Sequence, residues 1–174
     1  MHIPDGFLEP RVWVPLAAAG AGAVALAARR AKGRLEERQV PLLGVTAAFL
    51  FAAQMINVPV LPGVVSGHFL GGTFVAILLG PSASVLVMAT VLVIQCFLLF
   101  DGGVTALGAN VMNLAVVGGA GGWCVYAALR RWNAPFAAGA GAWAGTVASA
   151  VACAAELAAS GKVAFVEAAI PHAP

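Results

Sequence analysis

The sequence predicts an all-α integral membrane protein, a polytopic bundle of about six membrane-crossing helices, one of them short. Of its 174 residues, 61% are hydrophobic and only 9% are charged, whereas a soluble domain carries roughly 25% charged residues. Apolar runs of roughly 20 residues recur along the chain, the length that a helix needs to cross a hydrocarbon core roughly 30 Å thick. The alternating strand pattern of a membrane β-barrel is absent from the sequence.

Apolar stretches separated by charged, glycine-rich or proline-rich sequence define the predicted helices. In chain order they are residues 13–28, 42–58, 69–79, 84–100, 104–129 and 136–159. The third is short for a crossing. It must either begin earlier, near Val64, or be a partial helix that its neighbours cover.

Basic residues predict an orientation with the N-terminus outside. Cytoplasmic loops of membrane proteins carry an excess of Lys and Arg. If the basic loop 29–38 is cytoplasmic, seven of the nine Lys and Arg residues lie inside: Arg29, Arg30, Lys32, Arg34, Arg38, Arg130 and Arg131. The opposite orientation would export nearly all of them.

Small residues in the spans are interpreted as packing residues. Glycines spaced four apart let helices approach closely in lipid, and the pairs are Gly67/Gly71, Gly118/Gly122 and Gly141/Gly145. The cysteines lack zinc-type spacing and are predicted to be small buried apolar residues. They are Cys96, Cys124 and Cys153.

Two histidines, His2 and His68, are predicted on the outer side in Gly/Pro-rich backbone. If Met1 keeps its free amine, that nitrogen, the amide nitrogen of His2 and the His2 imidazole Nδ1 can bind one metal ion. Five- and six-membered chelate rings then hold three nitrogens in a plane, and the His68 imidazole would complete a square, as Ni(II) and Cu(II) prefer. The alternative is an interfacial His2 and a structural His68, and composition alone does not decide between them.

Polar side chains at membrane depth need partners, and four amides lie there: Gln54, Gln95, Asn110 and Asn113. Interhelical hydrogen bonds alone would account for them. The functional alternative is that Asn110 and Asn113, together with nearby Asp101, orient a metal-binding loop.

The sequence has no phosphate-binding loop, His-Glu-x-x-His helix or nucleophile elbow, so we expect no ATP hydrolysis and no enzyme. The net charge of +2 does not suggest nucleic acid as a partner.

Three stretches together resemble the CbiM/NikM family: MHIPDGFL at the start, SGHFLGGTFVAILLGPS around His68, and DGGVTALGANVMN after Phe100. The resemblance covers Met1 to about Gly122 and weakens over the alanine-rich remainder. It implies a planar nitrogen site made by the amine of Met1, the main chain and ring of His2, and the ring of His68. Residues 1–8 would form a metal-binding plug on a single transmembrane domain, residues 1–174. Family members usually carry another membrane helix after IPHAP, so the resemblance implies that this helix is absent here.

The resemblance also implies a function. The protein would be the substrate-capture subunit of an energy-coupling-factor ABC transporter in the cell membrane. It would take Co²⁺ or Ni²⁺ from the outer side as substrate, without a cofactor. Its partners would be a transmembrane coupling subunit, cytoplasmic ATPase subunits and a small accessory membrane subunit. Cobalt would connect the protein with cobalamin biosynthesis, but the sequence does not choose between the metals.

Two functions from other classes remain open from the residues alone. One is a non-transporting scaffold or assembly subunit of the membrane, and the other is a metal-independent small-solute carrier. Metal content after purification with an unmodified N-terminus separates all three.

Overall fold

The computed structural model describes residues 2–32, 39–56, 58–61 and 65–165. Over these residues the chain is almost entirely helical. The helices, numbered in chain order, are α1 Pro10–Lys32, α2 Val40–Gln54, α3 Gly72–Leu79, α4 Pro81–Leu99, α5 Leu107–Leu129 and α6 Ala134–Ala159. One short antiparallel hairpin pairs β1, Val58–Leu61, with β2, Val65–Gly67. The predicted helical membrane bundle is confirmed.

Four helices, α1, α4, α5 and α6, are long and apolar enough to cross a membrane. Helix α2 is apolar but has only 15 residues. It ends at Gln54, earlier than the sequence predicts, because Val58 already pairs with Gly67 in the hairpin.

The short third helix is a partial helix covered by its neighbours. Its 8 residues extend only about 12 Å at 1.5 Å per residue. It begins after Gly71, whose φ of 74° is left-handed, and Val75 and Ala76 have no exposed surface. Helix α4 begins directly after Gly80, so α3 and α4 form a tight helical hairpin.

Helix α4 lies at the centre of the bundle. Its buried side chains form one core with residues of α2, α3 and α5: Leu50, Val75, Val87, Met88, Val91, Leu92, Leu114 and Ala115. The last turn of α4, from Gln95 to Leu99, is a π-helix, and Phe100 at φ 54° ends it. Helix α5 is also π-helical, from Val111 to Gly121.

Glycines bring α5 and α6 into close contact, as their spacing predicts. A Cβ atom at Gly122 would lie 2.7 Å from the Gly141 carbonyl oxygen, and one at Gly141 would lie 2.6 Å from the Gly122 carbonyl oxygen.

The cysteine prediction is confirmed for Cys96 and Cys153, which are buried, and wrong for Cys124, which is exposed. An apolar residue of a membrane helix can face lipid as readily as the core, so an apolar segment does not specify burial.

The orientation predicted from the basic residues can be tested at two exposed positions beyond opposite ends of α5. Val104 is 55% exposed before the helix, and Trp132 is 69% exposed after it. In a protein lacking the three native cysteines, we expect Val104→Cys to react with an impermeant thiol reagent on intact cells. Trp132→Cys should react only after the membrane is permeabilised, because the basic residues before it predict that the loop after α5 is cytoplasmic. Labelling of Trp132→Cys alone on intact cells would reverse the orientation.

Candidate metal site

The amino-terminal segment, residues 2–9, folds back onto the bundle. Ile3 and Leu8 are buried, and they pack with Ala106 and Ala109 of the α4–α5 connection and α5, and with Cys153 of α6. At the end of the segment, the backbone N–H of Glu9 donates a hydrogen bond to the Ser160 hydroxyl at 3.1 Å. The segment is therefore joined to the ends of two helices that lie far away in sequence.

Asn110 holds the backbone directly after His2. Its Oδ1 accepts from the Ile3 N–H at 2.8 Å, and its Nδ2 donates to the Ile3 carbonyl at 3.2 Å. The same carbonyl accepts from the Gly103 N–H at 2.8 Å. Asn110 is 1% exposed, so water does not compete for these bonds.

Asp5 makes a second attachment to the α4–α5 connection. Its carboxylate accepts hydrogen bonds from the Thr105 hydroxyl, from the Thr105 N–H at 2.8 Å and from the Val104 N–H at 3.1 Å. The hydrogen bonds from Thr105 lower the pKa of this carboxyl. A Cβ atom at Gly103 would overlap Asp5, so only glycine allows this close approach.

His2 contacts both His68 and Asp101 at this end of the bundle. The His2 ring stacks on the His68 ring with 5.4 Å between centroids and an interplanar angle of 15°. Nδ1 of His2 lies 3.4 Å from Oδ1 of Asp101. The His2 side chain is 6% exposed, and its Nε2 is buried without a hydrogen-bond partner.

The contacts of His2 also show the path of residues 68–80, which contain the short helix α3. His68 is close to His2, and so is Asp101 just beyond the C-terminal end of α4, whereas Gly80 directly precedes the start of α4. Residues 68–80 therefore extend along the length of α4, although only eight of them are helical.

Burial keeps both imidazoles uncharged at neutral pH. It lowers the pKa of His2 to about 4, although the Asp101 carboxylate acts in the opposite direction. Burial likewise lowers the pKa of His68. A neutral imidazole has one nitrogen with a free lone pair, which is the form that binds a metal.

The contact of His68 with the main chain identifies which of its nitrogens is free. Nδ1 of His68 lies 3.3 Å from the Phe69 carbonyl oxygen. A carbonyl only accepts hydrogen bonds, so this contact requires the proton on Nδ1. The lone pair of His68 is then on Nε2.

Two glutamines that the sequence left without a specific role also reach this site. Gln95 Nε2 donates to Gln54 Oε1 at 2.8 Å, and Gln54 Nε2 donates to the Leu70 carbonyl at 2.7 Å. Gln95 also interacts with the His2 side chain and raises its pKa against the larger effect of burial. The available signal was their position, since Gln54 and Gln95 lie near the ends of two apolar segments on the same predicted side.

Asn113 and Met1 are the other residues that the sequence predicts at the site. Asn113 Nδ2 donates to Glu156 Oε2 at 2.7 Å, which is an interhelical bond to α6, and it makes no hydrogen bond to residues 2–9 of the described chain. Met1, whose amine is the first predicted ligand, lies outside the described residues. Among the residues that are described, no three His, Cys, Asp or Glu side chains converge as a metal cluster.

Comparison with known proteins shows similarity over most of the chain. The sequence profile of CbiM, described as "Cobalt uptake substrate-specific transmembrane region", matches residues 2–173. A provisionally named metal transport protein of Haloquadratum walsbyi is 45% identical over 151 residues, covering 87% of this chain and 69% of the relative. A crystal structure of a truncated transition metal transporter is 34% identical, with a TM-score of 0.83 over 90% of this chain and 74% of that one.

The chain spans only part of the length of the relatives that it matches. A provisionally named fused nickel transport protein of Archaeoglobus fulgidus is 43% identical over 151 residues. The match covers 87% of this chain but only 50% of that protein.

Replacing Asn110 tests whether it holds the amino-terminal segment. Asn110→Ala leaves the N–H of Ile3 without its partner, and an unsatisfied buried group costs about 1–3 kcal/mol. We expect faster amide hydrogen exchange over residues 3–8 and a lower melting temperature. Asn113→Ala is the matched control, since it removes an equally buried amide that bonds to Glu156 instead. Equal exchange rates over residues 3–8 in both variants would contradict the assignment.

Proposed function

The chain belongs to the CbiM family of cobalt uptake substrate-specific transmembrane regions, and on this basis we propose that it captures Co²⁺ or Ni²⁺ on the outer side of the cell membrane. The metal is the substrate that the protein binds and passes on. The observation that carries the proposal is the pairing of His2 with His68, two uncharged imidazoles that stack on each other, with the His2 side chain only 6% exposed.

The proposed ligands are four nitrogens. They are the Met1 amine, the main-chain nitrogen and imidazole Nδ1 of His2, and the imidazole of His68, with Nε2 as its free nitrogen. Nickel(II) prefers planar nitrogen coordination. Since the ligating main-chain nitrogen must lose its proton, metal binding releases protons and weakens as the pH falls.

Asp101 and Asn110 support this arrangement in different ways. The Asp101 carboxylate lies beside Nδ1 of His2, so it places a negative charge next to the proposed cation position. Asn110 fixes the backbone one residue further along and so limits where His2 can lie. Residues 1–8 then act as a plug that closes over the metal.

The proposed cellular role is the substrate-binding subunit of an energy-coupling-factor ABC transporter. The sequence offers no nucleotide-binding motif, so the proposed partners for ATP-driven uptake are cytoplasmic ATPase subunits and a transmembrane coupling subunit, and the family resemblance adds a small accessory membrane subunit. A scaffold subunit or a carrier of metal-free solutes would instead purify without cobalt or nickel, so metal content separates these functions.

His68→Ala tests the proposed fourth ligand. We expect titration of the purified protein with Ni²⁺ and with Co²⁺ to show a loss of affinity greater than the roughly 10–100-fold typical of residues that only orient a ligand. His172→Ala is the control, because that histidine is in the tail outside the described residues. A thermal unfolding curve checks that the fold persists. If His172→Ala loses metal and His68→Ala binds like the parent, the wrong histidine has been assigned.

Extending the chain before Met1 tests the proposed amine ligand. One added residue, or a retained formyl group, removes the amine from the first chelate ring. We expect high-affinity metal binding to be abolished while the melting temperature of the metal-free protein is unchanged. The control is the same preparation after proteolytic removal of the extension, which should bind again. Tight binding by the extended protein would exclude the amino-terminal chelate.

A further inference from the structure

We propose that the cavity beside His68 is a water-filled compartment that receives the hydrated metal ion after it leaves the four nitrogens of the proposed site. This role rests on the proposed function, because that function supplies the metal. The compartment itself is a different part of the molecule, since it lies between α3, α5 and α6.

The cavity has a volume of about 270 Å³ and begins at His68. Three helices contribute to its wall, through Thr73 of α3, Leu114 and Gly118 of α5, and Thr146 and Ser149 of α6. His68 lies beside His2, and from there the chain extends along α4 to Gly80. The cavity therefore leads from the proposed metal site toward the other end of the bundle, which the basic residues predict to be cytoplasmic.

Main-chain contact between α5 and α6 limits the cavity at its inner end. A Cβ atom at Gly122 would overlap the Thr73 hydroxyl and lie 2.7 Å from the Gly141 carbonyl oxygen. A Cβ atom at Gly145 would overlap the Gly118 carbonyl oxygen. Gly122 lies one turn beyond Gly118, toward the basic end of α5. The cavity is therefore a compartment and not a continuous pore through the bundle.

Three hydroxyl groups in the wall have already committed their protons. Each donates to a main-chain carbonyl: Thr73 to Gly118 at 2.7 Å, Ser149 to Asn113 at 2.5 Å and Thr146 to Ala142 at 2.9 Å. A hydroxyl has one proton and two acceptor lone pairs, so these groups can only accept further hydrogen bonds. Water molecules bound to a divalent cation are strong donors. The hydroxyl groups therefore suit a hydrated cation.

The first turn of α3 indicates that the cavity holds water. The first N–H groups of a helix have no acceptor within the helix, and Gly71 provides no side-chain cap. No group in the described part of the chain accepts from the N–H groups of Gly72, Thr73 and Phe74. All three residues line the cavity. Irregular backbone at membrane depth is tolerated where protein covers it or water lines it, so water in the cavity accounts for these groups.

The size and chemistry of the cavity suit passage of the metal. Six metal-bound waters occupy roughly 180 Å³ at their volume in liquid water, which is less than the volume of the cavity. No acidic side chain is among the described residues that line it, so the ion keeps its water shell there and is held weakly. A pathway needs binding that is favourable enough for an ion to enter and weak enough for it to leave.

The first experiment measures water contact in the metal-free protein in lipid bilayers. The chain has five threonines, so solid-state NMR of threonine-labelled protein can follow magnetisation transfer from water, with single substitutions assigning the signals. We expect Thr73 and Thr146 to receive magnetisation from water, as Thr105 does on the exposed α4–α5 connection. Thr90, exposed in the middle of α4, faces lipid and is the negative control. Transfer to Thr146 from lipid chains in place of water would show a lipid-filled groove and overturn the proposal.

The second experiment separates metal capture from passage. Thr146→Leu fills part of the cavity with a larger apolar side chain and alters no proposed ligand. We expect the purified protein to keep near-parental Ni²⁺ affinity, while cells that carry the complete transporter lose uptake of radioactive Ni²⁺. Thr90→Leu is the matched control, because it makes the same replacement and loses the equivalent bond to the Leu86 carbonyl. It should retain both binding and uptake.

If the Thr146→Leu protein does not fold, Ala142→Leu narrows the same cavity from an exposed position. Parental uptake by a folded variant contradicts the role in passage. Loss of Ni²⁺ affinity together with uptake also contradicts it, because the cavity would then belong to the capture site. If the parent binds neither Ni²⁺ nor Co²⁺, the proposed function and the passage of metal fail together. A dry cavity in a parent that binds metal overturns the water-filled compartment alone.

Discussion

The hydrogen bonds between the Asn110 amide and the backbone of Ile3 are the interaction on which the site depends. They join residues 107 positions apart in sequence, and they are buried. Because Ile3 is fixed, His2 is confined to the space beside the end of α4, where it meets His68 and Asp101. Helix α5, which carries Asn110, therefore determines the position of a ring that belongs to a different part of the chain.

Irregular backbone makes this arrangement possible. Gly103 lets the amino-terminal segment approach the α4–α5 connection, Gly71 adopts a left-handed φ before α3, and a π-helical turn ends α4. Non-helical backbone at membrane depth is tolerated only where protein covers it or water lines it. Here Asn110 accepts from the buried Ile3 N–H, and Asp5 accepts from the N–H groups of Val104 and Thr105, so hydrogen bonds fix the irregular backbone. Burial then keeps the two imidazoles uncharged beside one carboxylate.

Much of this protein follows from the sequence. Apolar length predicts the crossing helices, since a helix must match the thickness of the hydrocarbon core. The four-residue spacing of the glycines at 118, 122, 141 and 145 predicts close helix packing, which the structure shows between α5 and α6. The start MHIPDGFL and the motif around His68 predict a nitrogen-rich site, because chelation by an amine, an amide and an imidazole requires only adjacent residues. Local covalent geometry and one-dimensional hydropathy suffice for these conclusions.

The tertiary structure alone decided which polar residues act together. Asn110 and Asn113 are indistinguishable in sequence, but one bonds to Ile3 and the other to Glu156, because they face different neighbours along α5. The connection of Gln54 with Gln95 was not predictable either, nor was the exposure of Cys124. Hydropathy reports that a residue is at membrane depth, whereas a hydrogen bond depends on direction and distance between atoms that are remote in sequence. Those quantities are set only when the helices pack.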